Sequence, residues 1–537
     1  MKQRITSFPY EGLFSDYCGG VDLREFFPLS PWDERSYLER ARHLDRRPSS
    51  GRPRLAEALV RYNQDLDAYP AAVENARLLA DPKTLVVVTG QQTGLFTGPL
   101  ITVYKAVTAI ALARKLSTSL NRPVVPVFWV CSDDHDFEEI RGVTVASPNG
   151  DLEALDLGFE PPPRRPVGWL DLPPATRNAV YHLEQMAGSF PHGSETVKLL
   201  SDTLERASSP AEWFARIMAR LFTAQGLVLL DPLLPEVRDQ ARPVFEAALK
   251  EASEIERAIR EAGAKVRARG YEPSLRLDRD QLCLFRIVNQ ERRALFLEEG
   301  AVKTREGDRW TLQEVLRAVS DEPGSLAPNV ITRPLLQDNL LPTLAQVSGP
   351  GELSYLCQMA DVYRLFGLEM PVIFPRVTLT LIPPRVQQVM AEYGIEEISP
   401  DALVAAEERA RHRLDDFGID RYFDSRLGEI EAVYARMQQD VSKIDPDLVP
   451  LTRENLERVK RQLEYLREKA WRFHRRKHRR LLKDIALARS YLRPTGGPQE
   501  KVLGIVTFLM EAGLDLPGKL VENLILCPYH HRMVYLS

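Results

Sequence analysis

Cysteine is scarce in this sequence, and long apolar runs are absent. The 537 residues include five cysteines at scattered positions, without a C-x-x-C pair, which argues against a disulfide framework or a zinc ribbon and predicts reduced thiols. No apolar run approaches the roughly 20 residues that span a bilayer, and residues 1–12 lack the apolar stretch of a signal peptide. We therefore expect a cytoplasmic protein that does not enter a membrane.

An excess of charge of one sign is also missing. The formal net charge is −4 at pH 7, so the molecule as a whole does not attract polyanions through its bulk field. Hydrophobic residues make up 44% and charged residues 27% of the chain, which is typical of globular proteins. The length favours about two to four domains.

One stretch, residues 85–139, predicts the architecture of the chain. Residues 85–88 form an apolar, β-branched run, a loop with glycines follows, and residues 101–116 have the apolar periodicity of a helix. A second apolar run, Val124–Val130, stops at a cluster of acidic residues. Strand, loop, helix and strand in this order are typical of a doubly wound parallel sheet, in which ligands bind at the carboxyl ends of the strands. We expect both polar segments to face one crevice there.

The first polar segment is the loop GQQTGLFTGP, residues 90–99. Glycines between a strand and a helix let backbone N–H groups approach an anion, although the loop matches neither the Walker A nor the G-x-G-x-x-G pattern. Amide side chains add donors and acceptors for a polar substrate, and a tight turn without a ligand is the alternative interpretation. The candidate substrate-binding residues are Gln91, Gln92, Thr93, Gly94, Thr97, Gly98 and, in the helix, Lys105.

The second polar segment is the acidic cluster after Val130. Like charges this close together raise the pKa of some carboxyl groups and favour a general base or a bound cation. If the strand continued, alternation would place Asp134 and Asp136 on one face and Asp133 and His135 on the other. We assign Asp134, His135 and Asp136 as candidate catalytic residues and Asp133 as a substrate-binding residue. A helix N-terminus with an acidic first turn is the alternative, and the spacing does not identify a metal site.

Later segments are predicted to complete the crevice. The sheet should resume over residues 329–335, and residues 371–374 should form its last strand. The glycine turn SGPGE, residues 348–352, opens a helix, and an arginine after the last strand could meet a carboxylate or a phosphate. Simple helix capping and a surface ion pair explain these residues equally well. The candidate substrate-binding residues in these segments are Ser348, Gly349, Glu352, Tyr355 and Arg376.

The composition changes near residue 396. Apolar residues spaced three and four apart occur in two runs on either side of a turn at residues 442–450, which predicts an antiparallel coiled-coil hairpin. The basic run 472–480 could bind nucleic acid. A charged face towards an acidic first helix, which includes Asp415 and Asp416, is the favoured interpretation. The apolar residues of the two runs are Leu427, Ile430, Tyr434, Met437, Val441 and Ile444, then Leu456, Val459, Leu463, Leu466, Ala470 and Phe473.

Four motifs carry a resemblance to a known family. TGQQTGLFTGPLITVYKA, VFWVCSDDHDFEEI, VSGPGELSYL and FPRVTLTLI resemble the cysteine-adding enzymes of bacillithiol biosynthesis, and the resemblance covers essentially the whole chain. It implies a ligase that joins L-cysteine to glucosaminyl-malate, with ATP or ADP as the expected nucleotide and a homodimer formed through the coiled coil. It also implies a core like that of class I aminoacyl-tRNA synthetases. Residues 96–99 and 375–378 stand where such synthetases carry their H-I-G-H and K-M-S-K-S motifs, and they match neither.

The sequence therefore predicts an α/β protein with a Rossmann-type parallel sheet core, inserted subdomains and a C-terminal antiparallel coiled-coil hairpin. The core should span residues 1–395, with inserts at about 140–192 and 265–320. The hairpin should span residues 396–492, and the tail, 493–537, should pack on the core. Two other functions remain open, a synthetase-like protein that binds tRNA or another polyanion and a non-catalytic scaffold for pathway enzymes, although nucleic acid is not the expected partner.

Overall fold

The computed structural model describes residues 1–48, 50–414, 417–477 and 479–537. These residues divide into two compact units, of which one comprises residues 1–383 and 497–537 and the other residues 384–496. Within the described ranges, no helix combines the length and the apolarity that a membrane crossing requires. The larger unit contains the predicted sheet, and the smaller unit is helical.

Strands and helices alternate along the larger unit, as in other α/β proteins. The strands are β1 (Lys2–Thr6), β2 (Leu85–Gln91), β3 (Val124–Val130), β4 (Gly142–Ala146), β5 (Leu152–Asp156), β6 (Val228–Leu230), β7 (Gln281–Val288), β8 (Glu291–Glu298), β9 (Ala301–Lys303), β10 (Arg309–Thr311), β11 (Leu326–Pro328), β12 (Thr343–Ser348), β13 (Val372–Pro375), β14 (Leu379–Ile382) and β15 (His531–Tyr535). The helices are α1 (Gly12–Cys18), α2 (Glu34–Leu44), α3 (Arg52–Asp65), α4 (Pro70–Leu78), α5 (Ile101–Leu120), α6 (Arg177–Ala187), α7 (Gly193–Leu204), α8 (Pro210–Phe222), α9 (Pro235–Asp239), α10 (Arg242–Lys250), α11 (Ala252–Ala268), α12 (Leu312–Asp321), α13 (Thr332–Leu340), α14 (Pro350–Leu356), α15 (Ala360–Leu365), α16 (Pro384–Tyr393), α17 (Pro400–Leu414), α18 (Ile419–Val441), α19 (Leu448–Lys477), α20 (Arg479–Leu492), α21 (Gln499–Val502), α22 (Ile505–Ala512) and α23 (Leu516–Asn523).

The central sheet is parallel and has the strand order β13-β12-β2-β3-β6. The chain order reverses at β2, which pairs with β3 on one side and with β12 on the other. Leu85 and Val87 pack into the core on one face of the sheet, whereas Val86 and Val88 pack into the core on the other face. Because both faces are buried, the strand is a continuous apolar run. The predicted Rossmann-type core is confirmed.

Two inserts and the C-terminal segment add smaller sheets to the larger unit. β4 and β5 form an antiparallel hairpin, and the second insert is an antiparallel sheet of order β10-β9-β8-β7-β11. β15 lies between β1 and β14, antiparallel to the first and parallel to the second. The last strand of the chain is therefore hydrogen-bonded to its first strand.

The predicted strand over residues 329–335 is wrong. Most of this segment belongs to α13, and the sheet resumes later, with β12. The side-chain oxygen of Asn329 accepts the backbone N–H groups of Ile331 and Thr332 at 2.9 and 3.1 Å, which satisfies two donors at the start of the helix. A short apolar run fits a buried helix and a strand equally well, so periodicity alone does not decide between them.

The smaller unit contains an antiparallel pair of long helices, α18 and α19. The Tyr434 hydroxyl donates to the side-chain oxygen of Asn455 at 2.6 Å, and Lys460 pairs with Glu431 at 2.7 Å. The Trp471 indole N–H donates to an Asp420 carboxylate oxygen at 3.0 Å. Residues later in α19 contact residues earlier in α18. The two helices therefore run in opposite directions, and the predicted hairpin is confirmed.

Several apolar side chains predicted to lie between these helices are instead exposed. Met437 is 45% exposed, Ile444 79%, Leu466 55% and Phe473 68%. Two helices bury only one narrow stripe on each other, so apolar positions beside that stripe stay in contact with water. Three residues of the predicted charged faces, Asp415, Asp416 and His478, lie outside the described residues.

A buried ion pair joins the last strands of the core to the C-terminal segment. The Arg376 guanidinium donates to Glu500 at 2.9 Å, with both side chains at most 1% exposed. Arg376 also donates to the Tyr10 hydroxyl at 3.0 Å, and the Leu379 N–H donates to the second Glu500 oxygen at 3.3 Å. Arg376 was predicted to face a substrate, but its charge is neutralised inside the protein.

Replacing Glu500 with glutamine should destabilise the larger unit strongly. Glu500→Gln leaves the Arg376 charge buried without its counter-charge, which should lower the free energy of unfolding by about 3–5 kcal/mol. Chemical denaturation followed by circular dichroism measures this change. Glu522→Gln, at an exposed position of α23, is the control and should change stability by less than about 0.5 kcal/mol. Equal small effects of both variants would contradict a structural role for the pair.

Candidate functional site

A cavity of about 830 Å³ opens at the carboxyl ends of β2, β3 and β12. This is the position at which the strand order reverses and at which ligands bind in open α/β sheets. The two polar segments that were predicted to face one crevice both line this cavity, together with the segment after β12. The predicted site residues in its wall are Gln91, Gln92, Gly94, Gly98, Lys105, Asp133, Asp134, His135, Gly349, Glu352, Tyr355 and Arg376.

The glycine loop after β2 is closed by its own hydrogen bonds. The backbone N–H groups of Gly94, Leu95 and Gly98 donate to the carbonyls of Gln92, Ile140 and Leu95, respectively. A Cβ atom at Gly94 would lie 2.9 Å from the Cα atom of Gly98, so the loop folds this tightly only with glycine at 94. These donors serve the fold, and the loop does not present the row of free N–H groups that typically binds a phosphate.

Lys105 joins two walls of the cavity. Its ammonium group donates to the Gly90 carbonyl at 2.9 Å and to the Gln91 side-chain oxygen at 2.6 Å, and it is paired with Glu352. Glu352 also accepts the N–H of Gly349 at 2.9 Å. Burial opposes the charged form of Glu352, but the Lys105 charge and these hydrogen bonds hold its pKa below the ordinary value. The pair therefore orients Gln91, whose amide donates to Gln92 at 3.0 Å.

The acidic segment after β3 turns away from the strand direction. The Ser132 N–H donates to the Val130 carbonyl at 2.7 Å, and an Asp134 carboxylate oxygen accepts the N–H of His135 at 2.7 Å. The first insert holds this turn, since the Gly168 N–H donates to the Ser132 carbonyl at 2.8 Å. The alternation predicted for this segment is wrong, because strand geometry ends at Val130 and three consecutive side chains, 133 to 135, reach the cavity.

Arg292, from the second insert, holds two side chains of the acidic segment through hydrogen bonds. Its guanidinium donates to an Asp134 oxygen and to His135 Nδ1, both at 3.3 Å, and to the Pro328 carbonyl at 2.7 Å. It also lies over the Phe285 ring, 4.4 Å from the centroid. A guanidinium can only donate, so Nδ1 of His135 accepts and its proton is carried on Nε2. Burial lowers the pKa of His135, and the Arg292 charge lowers it further.

Asp133 has a different environment from Asp134. It is 8% exposed, and among the described residues its carboxylate has no hydrogen-bond partner. Burial raises the pKa of Asp133, and the charge of Asp134 adds to this effect against the opposing charge of Arg292. Beside it, burial raises the pKa of the Cys131 thiol to about 12. The carboxylate is thus a better proton acceptor than an ordinary aspartate, while the neighbouring sulfur stays a thiol.

An acidic outer cavity of about 470 Å³ adjoins the main one. Asp136 lies in its wall, and Gln92, Asp134, His135 and Glu139 line both cavities. Burial raises the pKa of Glu139, with the charges of Asp136 and Asp134 acting in the same direction. The carboxylates of this outer cavity favour the entry of cationic groups over anions. Within the described ranges, no three His, Cys, Asp or Glu side chains converge in a way that could hold a metal ion.

Some candidate residues do not reach the main cavity, and others were missed. Thr93, Thr97 and Ser348 are buried outside its wall. Arg292 and Arg333 line the cavity but were not predicted. Arg292 lies in an insert far in sequence from the recognised motifs. Arg333 belongs to residues 329–335, for which a strand inside the sheet was predicted, and that prediction does not place it at the cavity. A helical interpretation of that segment would have placed Arg333 and Gln337 one turn apart on one face.

The chain matches known proteins over nearly its full length. Residues 1–377 match the family model of the N-terminal Rossmann-like domain of bacillithiol biosynthesis BshC. Residues 379–536 match the model of the C-terminal coiled-coil domain of the same family. A protein of Desulforamulus reducens is 32% identical over 96% of this chain and 95% of its own length. One of Carboxydothermus hydrogenoformans is 32% identical over 100% of both chains. Both are named "Putative cysteine ligase BshC".

A solved structure was also matched, at low similarity. The protein, described as "putative arginyl t-RNA synthetase" from Campylobacter jejuni, aligns with 84% of this chain and 99% of its own at 12% identity, with a TM-score of 0.23. That score supports no argument, so the likeness to class I synthetases stays a prediction. The matches over both units establish the relationship by themselves: this chain belongs to the bacillithiol biosynthesis BshC family.

Proposed function

We propose that this protein is a ligase that joins L-cysteine to the amine of glucosaminyl-malate in the last step of bacillithiol synthesis. The relatives are named as cysteine ligases, and the chain spans their whole length. The observation that carries the chemical part of the proposal is the convergence of Gln91, Asp133 and His135 on one cavity at the carboxyl edge of the sheet. Its volume, about 830 Å³, lies within the range of small-molecule sites.

Asp133 is the general base that we propose for this reaction. An amine attacks an activated carboxyl group only after it has lost a proton, so the site needs an acceptor near the nucleophile. The raised pKa of Asp133 suits this role better than the environment of Asp134, which is bound by Arg292 and by the turn. The sequence alone favoured Asp134 or His135 as the base.

His135 takes the part of a hydrogen-bond donor in this proposal. Arg292 occupies Nδ1, and a second proton would place an imidazolium beside a guanidinium. Burial of the ring and, after it, the Arg292 charge lower the pKa of His135. The neutral ring therefore offers its Nε2–H to an oxygen. A donor fixed in advance stabilises the negative charge that develops on a carbonyl oxygen during acyl transfer.

ATP is the energy source that we propose, because a free carboxylate must be activated before it forms an amide. The glycine loop does not fit a triphosphate, since its N–H groups at Gly94, Leu95 and Gly98 donate to protein carbonyls. Lys105, which contacts Gly90 and Gln91 of this loop, is already paired with Glu352. We therefore place the two organic substrates, and not the nucleotide, against this loop.

A homodimer in the cytoplasm completes the proposal. The exposed apolar side chains of α18 and α19, among them Leu466 and Phe473, form a surface that a second copy could cover, as in four-helix coiled coils. The free cysteines of the described chain, such as Cys18 and Cys283, fit a reducing compartment.

The ligase proposal is tested with purified protein, L-cysteine, glucosaminyl-malate and ATP. The amide product should form and should depend on ATP, because condensation without activation is unfavourable. Mass spectrometry of the thiol-labelled product measures it, and reactions that lack ATP or cysteine are the controls. Absence of product, while a coupled assay detects added authentic bacillithiol, would count against a self-sufficient ligase.

Asparagine substitutions separate the roles of the neighbouring carboxylates. Asp133→Asn should lower kcat by about 10²–10⁴-fold, whereas Asp134→Asn should cost less, because Asp134 positions Arg292 and His135. Steady-state kinetics measures both, with thermal melts to check folding and with Asp151→Asn, at an exposed site, as the matched control. A base works only when deprotonated, so activity should fall on acidification at a pH above the ordinary aspartate value of 3.8. A larger loss in Asp134→Asn would move the base to Asp134.

The dimer is tested by placing charge on the exposed apolar surface. Leu466→Glu and Phe473→Glu should produce monomers, because a carboxylate cannot be buried against a second coiled coil without a large desolvation cost. Light scattering coupled to size exclusion gives the mass. Tyr181→Glu, 57% exposed in the larger unit in the unchanged protein, should leave the dimer intact. A wild-type mass of one chain at micromolar concentration would refute the proposed assembly.

A further inference from the structure

Among the cations of the main cavity that are buried or half-buried, one differs from the others; Arg276 and Lys501, which also line the cavity, are exposed. Arg292 is paired with Asp134 at 3.3 Å, Arg376 with Glu500 at 2.9 Å and Lys105 with Glu352. Arg333, half-buried in the same wall, has only neutral partners. Among the described residues, no carboxylate lies within ion-pairing distance of its guanidinium.

Neutral groups from two helices hold the Arg333 guanidinium in place. Nη1 donates to the side-chain oxygen of Gln337 at 3.1 Å, and Nη2 donates to the Tyr355 hydroxyl at 3.3 Å. Gln337 is itself fixed, because its amide nitrogen donates to Asp338 and to Gln346, both at 3.1 Å. The orientation of the Arg333 guanidinium is therefore set before any ligand arrives, which lowers the entropy cost of binding.

Arg333 therefore carries a charge that has no ion-paired carboxylate among the described residues, although Asp133 lies near enough to feel it. Arginine does not lose its proton in proteins, and a partly buried charge without an opposite charge is unfavourable until an anion arrives. A planar guanidinium with parallel N–H groups matches a carboxylate in bidentate geometry. Asp133, Asp134 and Glu352 line the same cavity, so a singly charged carboxylate is repelled less than a multiply charged phosphate.

We propose that Arg333 binds the carboxylate of a substrate and that Gln337 and Tyr355 position its guanidinium for this contact. This inference rests on the proposed ligase function for the identity of the acids. L-cysteine and the malyl group of the amine substrate both carry carboxylates. Binding at Arg333 would orient either molecule relative to Asp133 and His135, which lie in the same cavity.

Direct binding measurements test the assignment without turnover. Isothermal titration of the full chain with L-malate and, separately, with L-cysteine should show binding of at least one of them in the absence of nucleotide. Arg333→Met should weaken that binding by about tenfold to a hundredfold, and Arg333→Lys, which keeps the charge without the fork, should lose less. Arg364→Met is the matched control, because Arg364 is exposed and paired with Asp361. It should bind like the wild type.

The arms of the experiment distinguish the source of the carboxylate. Selective loss of L-malate binding assigns Arg333 to the amine substrate, and selective loss of L-cysteine binding, with cysteamine unaffected, assigns it to the amino acid. If Arg333→Met does not fold, as thermal melts would show, Tyr355→Phe keeps the charge and should still weaken binding several-fold. The inference would be overturned if the wild-type protein bound neither acid, or if both variants bound the acids as the wild type does. Inorganic phosphate is titrated as a further probe, and an Arg333→Met variant that lost only phosphate binding would also overturn the inference. Because no ligation is measured, a failed ligase assay leaves this result standing.

Discussion

The parallel pairing of β2, β3 and β12 is the constraint on which the site depends. Parallel strands end on the same edge of a sheet, so the segments that follow them meet there even though those after β2 and β12 lie about 250 residues apart in the chain. Each of these strands is buried on both faces, so its polar residues can reach water only beyond its end. The cavity is therefore lined by residues at and beyond the ends of these strands, and the second insert adds Phe285 and Arg292 to its wall.

Within the cavity, environment rather than residue type separates the roles of the charged groups. Asp133 and Asp134 are neighbours in sequence, but one is buried without a donor and the other accepts from Arg292 and from a backbone N–H. The same arginine directs the histidine proton to Nε2. Lys105 is held by Glu352, whereas the half-buried Arg333 has no ion-paired carboxylate among the described side chains. The resulting site has an acidic outer cavity and, in the wall of its main cavity, a cationic position at Arg333.

Some of these features were predictable from sequence because they depend on local patterns. The runs 85–88 and 124–130 are long enough, apolar enough and sharply enough bounded to be recognised as strands, and the heptad spacing identified the hairpin. The prediction for residues 329–335 is wrong because an apolar run of that length fits either a strand or a helix. That error concealed Arg333. The pairing of Arg376 with Glu500 joins positions 124 residues apart, and no local pattern indicates such a partner.

The sequence by itself determined that residues 85–88, 124–130 and 371–374 form strands of a parallel sheet and which polar segments follow the first two of them, because burial on two faces leaves a continuous apolar signature. Only the tertiary structure decided which charges are neutralised and which remain available. The free energy of a buried charge depends on partners brought together by folding. Those partners come from inserts and termini, and the local sequence of these segments does not indicate which residues they will contact.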